Sequence, residues 1–225
     1  MKEQLITNKI LDWYDINKRS LPWRKKNPAK KKEYFTLVSE FMLQQTQVST
    51  VIPYFNRFIK KIPDLETLSR FDNQKLVKLW EGLGYYSRVR NLKKTSQIII
   101  KDFNKKLPDD FLDLKSLPGI GDYTASAISA IAFNKPLIPL DGNIERVLKR
   151  YLYLKRENQI KKENLIKNKK IFRTSNRSSD YAQALMELGA LICKPIHPLC
   201  NKCPISNKCK SFIKKDFILT KIKKK

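Results

Sequence analysis

All four cysteines of this 225-residue chain lie within one stretch of seventeen residues, Cys193-x6-Cys200-x2-Cys203-x5-Cys209. The whole thiol supply sits in one loop, and that loop must fold around whatever the sulfurs share. Four thiolates that close together can surround one metal centre, and a cubane iron–sulfur cluster takes four of them. Two other uses compete. Disulfides need an oxidising compartment, and the sequence shows neither a signal peptide nor a transmembrane run, which points to a reducing cytosol. A four-cysteine zinc site ordinarily shows two C-x2–4-C pairs, and only Cys200 and Cys203 are so paired. The spacing ranks a cluster ahead of zinc, and zinc ahead of disulfides.

The length allows one or two domains with a real core, and an apolar content of 41% agrees with a folded chain. Lysine and arginine total 47 against 21 acids, a net charge of +26, which points to a polyanion and most often to nucleic acid. Lysine far outnumbers arginine, and Ile and Asn are abundant, as an AT-rich coding bias produces without any function. The charge supports a nucleic-acid partner and identifies no activity.

Nearly everything reads as helix, with no strand signal and no internal repeat. Leu5, Ile6, Ile10, Leu11, Trp13 and Tyr14 mark a helix over 3–17, ended by Leu21-Pro22-Trp23. A basic loop over 25–32 precedes a helical pattern over 35–61 that Pro53 divides or kinks. Further helices are expected at 65–69, 73–80, 85–103, 123–133, 142–152 and 181–193, with another inside the lysine-rich stretch 155–179. The tail Lys221–Lys225 is basic and is expected to be disordered.

Leu117-Pro118-Gly119-Ile120-Gly121 reads as the turn of a helix–hairpin–helix. Gly119 and Gly121 allow a tight turn with positive φ, leaving amides at a helix N-terminus to face a phosphate. An ordinary interhelical loop carries Pro-Gly equally well. Ala125, Ala127, Ala130 and Ala132 behind it permit close helix packing. Asp141, in Leu140-Asp141-Gly142-Asn143, reads first as an N-cap. Glu40 stands among Val38, Phe41, Met42 and Leu43. A carboxyl held against apolar groups can act as a general acid, whereas a lone Glu is ordinarily solvated on a polar helix face.

Together these features resemble the helix–hairpin–helix DNA glycosylase superfamily with an iron–sulfur loop, from Leu11 to Cys209. Ser39-Glu40-Phe41-Met42-Leu43-Gln44-Gln45-Thr46-Gln47-Val48 is similar to the signature of its adenine DNA glycosylases of the MutY type. Gly82-Leu83-Gly84-Tyr85-Tyr86-Ser87-Arg88 and Leu140–Asn143 match as well. The resemblance implies an all-α fold of two helical lobes flanking a DNA-binding cleft. Residues 25–135 would form a six-helix barrel lobe with the hairpin, and residues 1–24 with 136–225 the iron–sulfur lobe.

The same resemblance implies roles. Glu40 would protonate N7 of an adenine flipped out of the duplex, and Asp141 would stabilise or capture the sugar cation, as the second carboxylate does in retaining glycosidases. Tyr123 and Asn143 would order this site. Gln45 and Tyr85 would wedge into the base stack, with Arg88, Leu117, Gly119 and Gly121 also on DNA. Leu21, Trp23 and Arg24 would wall the adenine pocket, and Cys193, Cys200, Cys203 and Cys209 would bind a 4Fe–4S cluster, their charge offset by Lys194, Lys202, Lys208 and Lys210. Endonuclease III-type relatives place a Schiff-base lysine where this chain has Tyr123, so the implied reaction is monofunctional adenine excision opposite 8-oxoguanine or guanine. A bifunctional glycosylase/lyase and a lesion-binding module without catalysis are the alternatives. The segment between Arg24 and Tyr34 is longer than the family's usual loop. The sequence stops at Lys225, short of the C-terminal domain with which members of the family commonly read 8-oxoguanine, as a natural short form or a catalytic fragment would. Weakened discrimination of the opposite base is expected. The expected setting is a monomer in a bacterial cytoplasm, on the nucleoid and off membranes.

Overall fold

The computed structural model describes residues 2–25, 28–154 and 176–217, and every regular element among them is helical. The tail Lys221–Lys225 and nearly all of the stretch expected to hold a helix over 155–179 lie outside the described residues. The chain forms two compact units, Ser20–Phe133 and Met1–Arg19 with Asn134–Lys225. Leu21, Trp23 and Arg24 thereby join the middle of the chain, whereas the sequence division grouped them with the first segment.

In the unit Ser20–Phe133, a 3-10 turn at Pro22–Arg24 precedes α2 (Ala29–Leu43), α3 (Val48–Lys61), α4 (Leu65–Arg70), α5 (Asn73–Trp80), α6 (Ser87–Asp102), α7 (Phe111–Ser116) and α8 (Asp122–Phe133). Residues 36–42 of α2 are buried on every side, the pattern of a central helix. α3 is amphipathic, burying Val51, Phe55 and Phe58, with the Phe58 ring edge-on to Trp80. Aspartates cap three helices: Asp64 accepts from Thr67 N at 2.7 Å, Asp72 from Lys75 N at 2.9 Å and Asp110 from Leu112 N at 2.7 Å. Each such cap contributes roughly 1 kcal/mol.

Three expectations change here. The stretch 25–32 is not all loop, because α2 begins at Ala29 after Pro28, with Lys32 N bonded to Pro28 O at 3.0 Å. Lysine is a good helix former, so a basic run after a proline extends a helix as readily as it makes a loop. The expected helix over 35–61 is divided at Gln44–Gln47, where Gln45 adopts φ 56°, and not at Pro53, which lies inside α3. The helix expected from Tyr85 starts at Ser87, because Tyr85 is left-handed at φ 49°.

The other unit contains α1 (Lys2–Asn17), α9 (Gly142–Leu152), α10 (Ser178–Glu187) and the short α11 (Lys210–Ile213). Ile6, Ile10 and Tyr14 of α1 share a core with Ile144, Val147, Leu148 and Tyr151 of α9 and Tyr181, Leu185 and Leu188. Arg19 grips the fully buried Glu187 through two bonds of 2.8 and 2.9 Å, tying the end of α1 to α10. The expected helix to Cys193 loosens after Glu187 into a π-turn, Leu188–Ile192, closed by Cys193 N to Leu188 O at 2.8 Å. Gly189 explains how that turn packs: a Cβ there would meet Asn143 Cβ at 2.6 Å and Asn143 O at 2.9 Å.

Candidate functional site

In the unit Ser20–Phe133, Glu40 lies on α2 and is only 5% exposed, between the buried Ser39 and Phe41. The solvated reading of this carboxyl is therefore removed. Directly after α2, the left-handed Gln45 carries its side chain to the surface. Tyr85 is 59% exposed and also left-handed.

The hairpin sits against the same helix. α7 ends in a turn, Leu117 N to Leu114 O at 3.2 Å, followed by Ile120 N to Leu117 O at 3.1 Å, and α8 starts at Asp122. Gln44 Nε2 donates to Gly119 O at 3.2 Å, and Thr95 Oγ1 donates to Pro118 O at 2.9 Å. Gly119 has φ 79°, and a Cβ there would lie 2.9 Å from both Phe41 Cε1 and Asn91 Cβ. Gly121 differs: it is exposed, has no positive φ, and a Cβ would meet nothing within 4 Å. Ala125, Ala127 and Ala130 are fully buried, as close packing behind the hairpin requires. Tyr123 is half-buried in the first turn of α8.

Two residues expected on DNA have buried side chains. Leu117 is 3% exposed and fills the core. Arg88 is buried, and its guanidinium is bonded to Phe41, Met42, Gln44, Leu83 and Gly84 carbonyls and to Thr46 Oγ1. Their motifs were expected on DNA, and the local register turns both side chains into the core. Of the expected pocket wall, Leu21 is buried, while Trp23 and Arg24 are half-buried, Trp23 with its ring centre 5.2 Å from that of Phe55 in an edge-on arrangement.

In the other unit, Asp141 caps α9, with Oδ1 accepting from Ile144 N at 2.7 Å. The capping reading is therefore correct, and it leaves a second oxygen, Oδ2, which accepts from Asn143 Nδ2 at 2.9 Å. Asn143 Oδ1 in turn accepts from Arg146 Nη2 at 2.8 Å. Arg146 also donates through Nε to Cys193 O at 2.7 Å and through Nη2 to Gly189 O at 2.7 Å. One turn later, Arg150 donates to Lys194 O at 2.6 Å and Pro195 O at 2.8 Å, with Cys193 Sγ 3.5 Å away. Burial holds the Arg146 guanidinium below its ordinary range, with Cys193 acting the other way, Arg150 adding to the fall and Asp141 opposing it. Neither arginine, nor Gly189, was singled out by sequence reasoning. The available signal was the pair of arginines four residues apart on the helix that follows Asp141-Gly142-Asn143. The lysines expected to offset the cysteines, Lys194, Lys202, Lys208 and Lys210, are all exposed, whereas Arg146 is half-buried and Arg150 buried, both bonded to loop carbonyls.

All four cysteines are free and half-buried. Burial first, and then Cys193, Cys209 and Cys200, push the Cys203 thiol up to about 12. Burial and then Cys193 also raise the Cys209 thiol. The sulfurs thus sense one another. Even so, among the described residues no group of three or more His, Cys, Asp or Glu side chains is arranged to hold a single metal ion. Among those residues no helix is long and apolar enough to cross a membrane.

A glycine-turned hairpin packed on a helix that buries a carboxyl defines a helix–hairpin–helix protein. Residues 38–172 match the HhH-GPD superfamily of base excision DNA repair proteins, and the chain belongs to that family. Over 206 residues it is 42% identical to an adenine DNA glycosylase of Buchnera aphidicola subsp. Baizongia pistaciae, covering 91% of this chain and 57% of that protein. It is 38% identical to the human adenine DNA glycosylase, covering 90% of this chain and 38% of that one. The chain thus spans between about two-fifths and three-fifths of these relatives' length. Among solved structures, a thermostable thymine-DNA glycosylase superposes with a TM-score of 0.83 at 27% identity, over 95% of this chain and 97% of that one. An endonuclease III in a DNA complex shares the fold, with a TM-score of 0.73 at 21% identity over 96% of this chain and 98% of that one.

Proposed function

We propose that the chain is a monofunctional DNA glycosylase that removes adenine mispaired with 8-oxoguanine or guanine in duplex DNA. The observation that carries this reading is the burial of Glu40 on a central helix beside the hairpin. In this reading Glu40 delivers a proton to N7, so that adenine leaves as a neutral base. Asp141 faces the developing sugar cation with the oxygen that the helix cap leaves available, oriented by Asn143. Tyr123 orders the site and offers no amine, which is why no imine to the sugar forms. The relatives named adenine DNA glycosylase support the choice of base.

The backbone amides around Gly119 and Gly121 hold a phosphate, the net charge of +26 draws the polyanion in, and Gln45 and Tyr85 open the stack. Leu21, Trp23 and Arg24 form the adenine pocket. Cys193, Cys200, Cys203 and Cys209 hold a 4Fe–4S cluster. Four free, half-buried cysteines in one loop of seventeen residues suit a polynuclear group. Such a cluster supplies a rigid, charged core for the loop, and Arg146 and Arg150 donate to the backbone at Cys193–Pro195. The protein acts as a monomer on the bacterial chromosome.

The test is release of free adenine from duplexes carrying adenine opposite 8-oxoguanine or guanine, with borohydride present in parallel. Adenine release without a trapped protein–DNA adduct is expected. A Schiff base trapped at normal turnover points instead to a glycosylase/lyase. The purified protein should carry four iron and four acid-labile sulfide per chain, and a zinc content in their place refutes the cluster.

A further inference from the structure

Arg88 has an unusual position for a cation. It is 5% exposed, and all six acceptors of its hydrogen bonds are uncharged. Nη1 reaches Met42 O at 2.7 Å, Gln44 O at 2.6 Å, Thr46 Oγ1 at 3.0 Å and Phe41 O at 3.3 Å, so it caps the C-terminus of α2. Nη2 reaches Leu83 O at 3.1 Å and Gly84 O at 3.0 Å. The guanidinium also lies 5.6 Å from the Trp80 ring centre and 5.4 Å from that of Tyr85. Burial lowers its proton affinity, but the carbonyl dipoles of a helix end favour a cation, and a guanidinium never loses its proton in practice.

The acceptors are placed where two left-handed residues begin. The Gln44 carbonyl belongs to the peptide plane preceding Gln45, at φ 56°, and the Gly84 carbonyl to the plane preceding Tyr85, at φ 49°. Neither Gln nor Tyr adopts that region readily, so the surroundings must hold them there. One planar fork grips both planes at once. A lysine offers its donors from a single nitrogen, without the two separate nitrogens that reach the two planes here.

We infer that Arg88 is a positioning residue that locks the two stack-opening side chains, Gln45 and Tyr85, into one frame with the helix that bears Glu40. The inference rests on the proposed function only in taking Gln45 and Tyr85 as the residues that enter the stack. Arg88 itself touches no DNA. It sets the backbone from which both exposed side chains project, and freeing either plane lets that side chain relax to an ordinary conformation.

The experiment compares wild type with Arg88→Lys. The probe is a duplex with a non-cleavable 2′-fluoro adenosine opposite 8-oxoguanine and 2-aminopurine beside it, whose fluorescence rises when the stack opens. Excision is followed under single turnover on adenine opposite 8-oxoguanine and on adenine opposite an abasic site, where opening is easier. For Arg88→Lys, duplex affinity should stay within about threefold, the fluorescence rise should be largely lost, and excision should fall roughly 30-fold on the paired substrate but less than about fivefold opposite the abasic site. A merely structural defect lowers both rates equally and leaves the fluorescence rise intact, and that result overturns the inference. Should Arg88→Lys fail to fold, Gly84→Ala replaces it. Its Cβ meets nothing within 4 Å, so only the strain at φ 73° shifts the Gly84 carbonyl, and the same split is expected. Equal losses in that variant overturn the inference too. A wild type that opens the stack yet releases no adenine contradicts the proposed activity and leaves Arg88 to be judged by fluorescence. A wild type that opens no stack refutes the assignment of Arg88.

Discussion

Replacing Gly119 and Gly121 by alanine, one at a time, separates two glycines that look equivalent in Leu117-Pro118-Gly119-Ile120-Gly121. At Gly119 an alanine must hold φ 79°, at roughly 1 kcal/mol or more, since Cβ crowds the carbonyl in left-handed backbone. Its methyl must also displace Asn91 Cβ and the Phe41 ring, each 2.9 Å away, and Phe41 is fully buried. Overpacking of a closed core adds about 1–3 kcal/mol. The sum is about 3 kcal/mol, which for a chain of this size lowers Tm by roughly 6–12 °C. Gly121 carries neither penalty, and removing backbone freedom from the unfolded chain leaves Gly121→Ala level with wild type or up to about 1 kcal/mol more stable. Urea titrations of the three proteins measure the stability difference, and fluorescence anisotropy with a labelled duplex measures binding. Gly121→Ala should keep its midpoint and lose duplex affinity, because its Cβ enters the open space that the proposed phosphate contact needs. Equal midpoints for both variants would refute the assignment of the turn to Gly119, and unchanged affinity in Gly121→Ala would refute the phosphate contact.

Two ion pairs of the unit that holds the cysteines can be probed by substitution. Arg19→Ala strips two charge-assisted bonds from the fully buried Glu187 and should cost about 3 kcal/mol in urea unfolding. Glu187→Gln added to it should recover part of that loss, and strict additivity would argue that the pair is not coupled. Asp15 is held below the ordinary carboxylate range chiefly by its bond to Arg177, at 2.6 and 2.8 Å. A carboxyl whose folded value is depressed contributes stability above its unfolded value near 4, lost as pH falls through the folded value. Both groups are largely exposed, so solvent screening keeps the effect of Asp15→Asn to at most about 0.5 kcal/mol at neutral pH, vanishing in acid. A larger penalty at low pH than at neutral pH would contradict that assignment.

How much of this was legible in the sequence follows from which interactions are local. The short helices at 65–70 and 73–80 and the helix at 142–152 follow periodicity and aspartate caps contained within a few residues, and the observed bounds agree with the expected ones to within a residue. The break at Gln44–Gln47 does not, because the arginine that fixes it arrives from α6, more than forty residues later. Pro53 drew attention as the stronger local breaker, yet the buried stripe Val51, Phe55 and Phe58 carries α3 through it. At the site, Glu40 stood out because its neighbours were apolar. Asp141 looked like an ordinary cap and is one; what the sequence could not display is that the cap uses a single oxygen. Gly189 and Arg146 were invisible, and Arg88 was expected on DNA, for one reason: their partners lie over forty residues away, Asn143 for Gly189, Cys193 for Arg146 and Gln44 for Arg88.

The central claim is that the buried carboxyl of Glu40 supplies the proton with which adenine leaves. Glu40→Gln keeps the shape of that side chain and removes the acid. Single-turnover release of adenine from a duplex with adenine opposite 8-oxoguanine should fall by roughly 10²–10⁴-fold, the range general acid catalysis contributes, while duplex affinity and Tm stay close to wild type. Adenine release by Glu40→Gln at the wild-type rate would contradict the account.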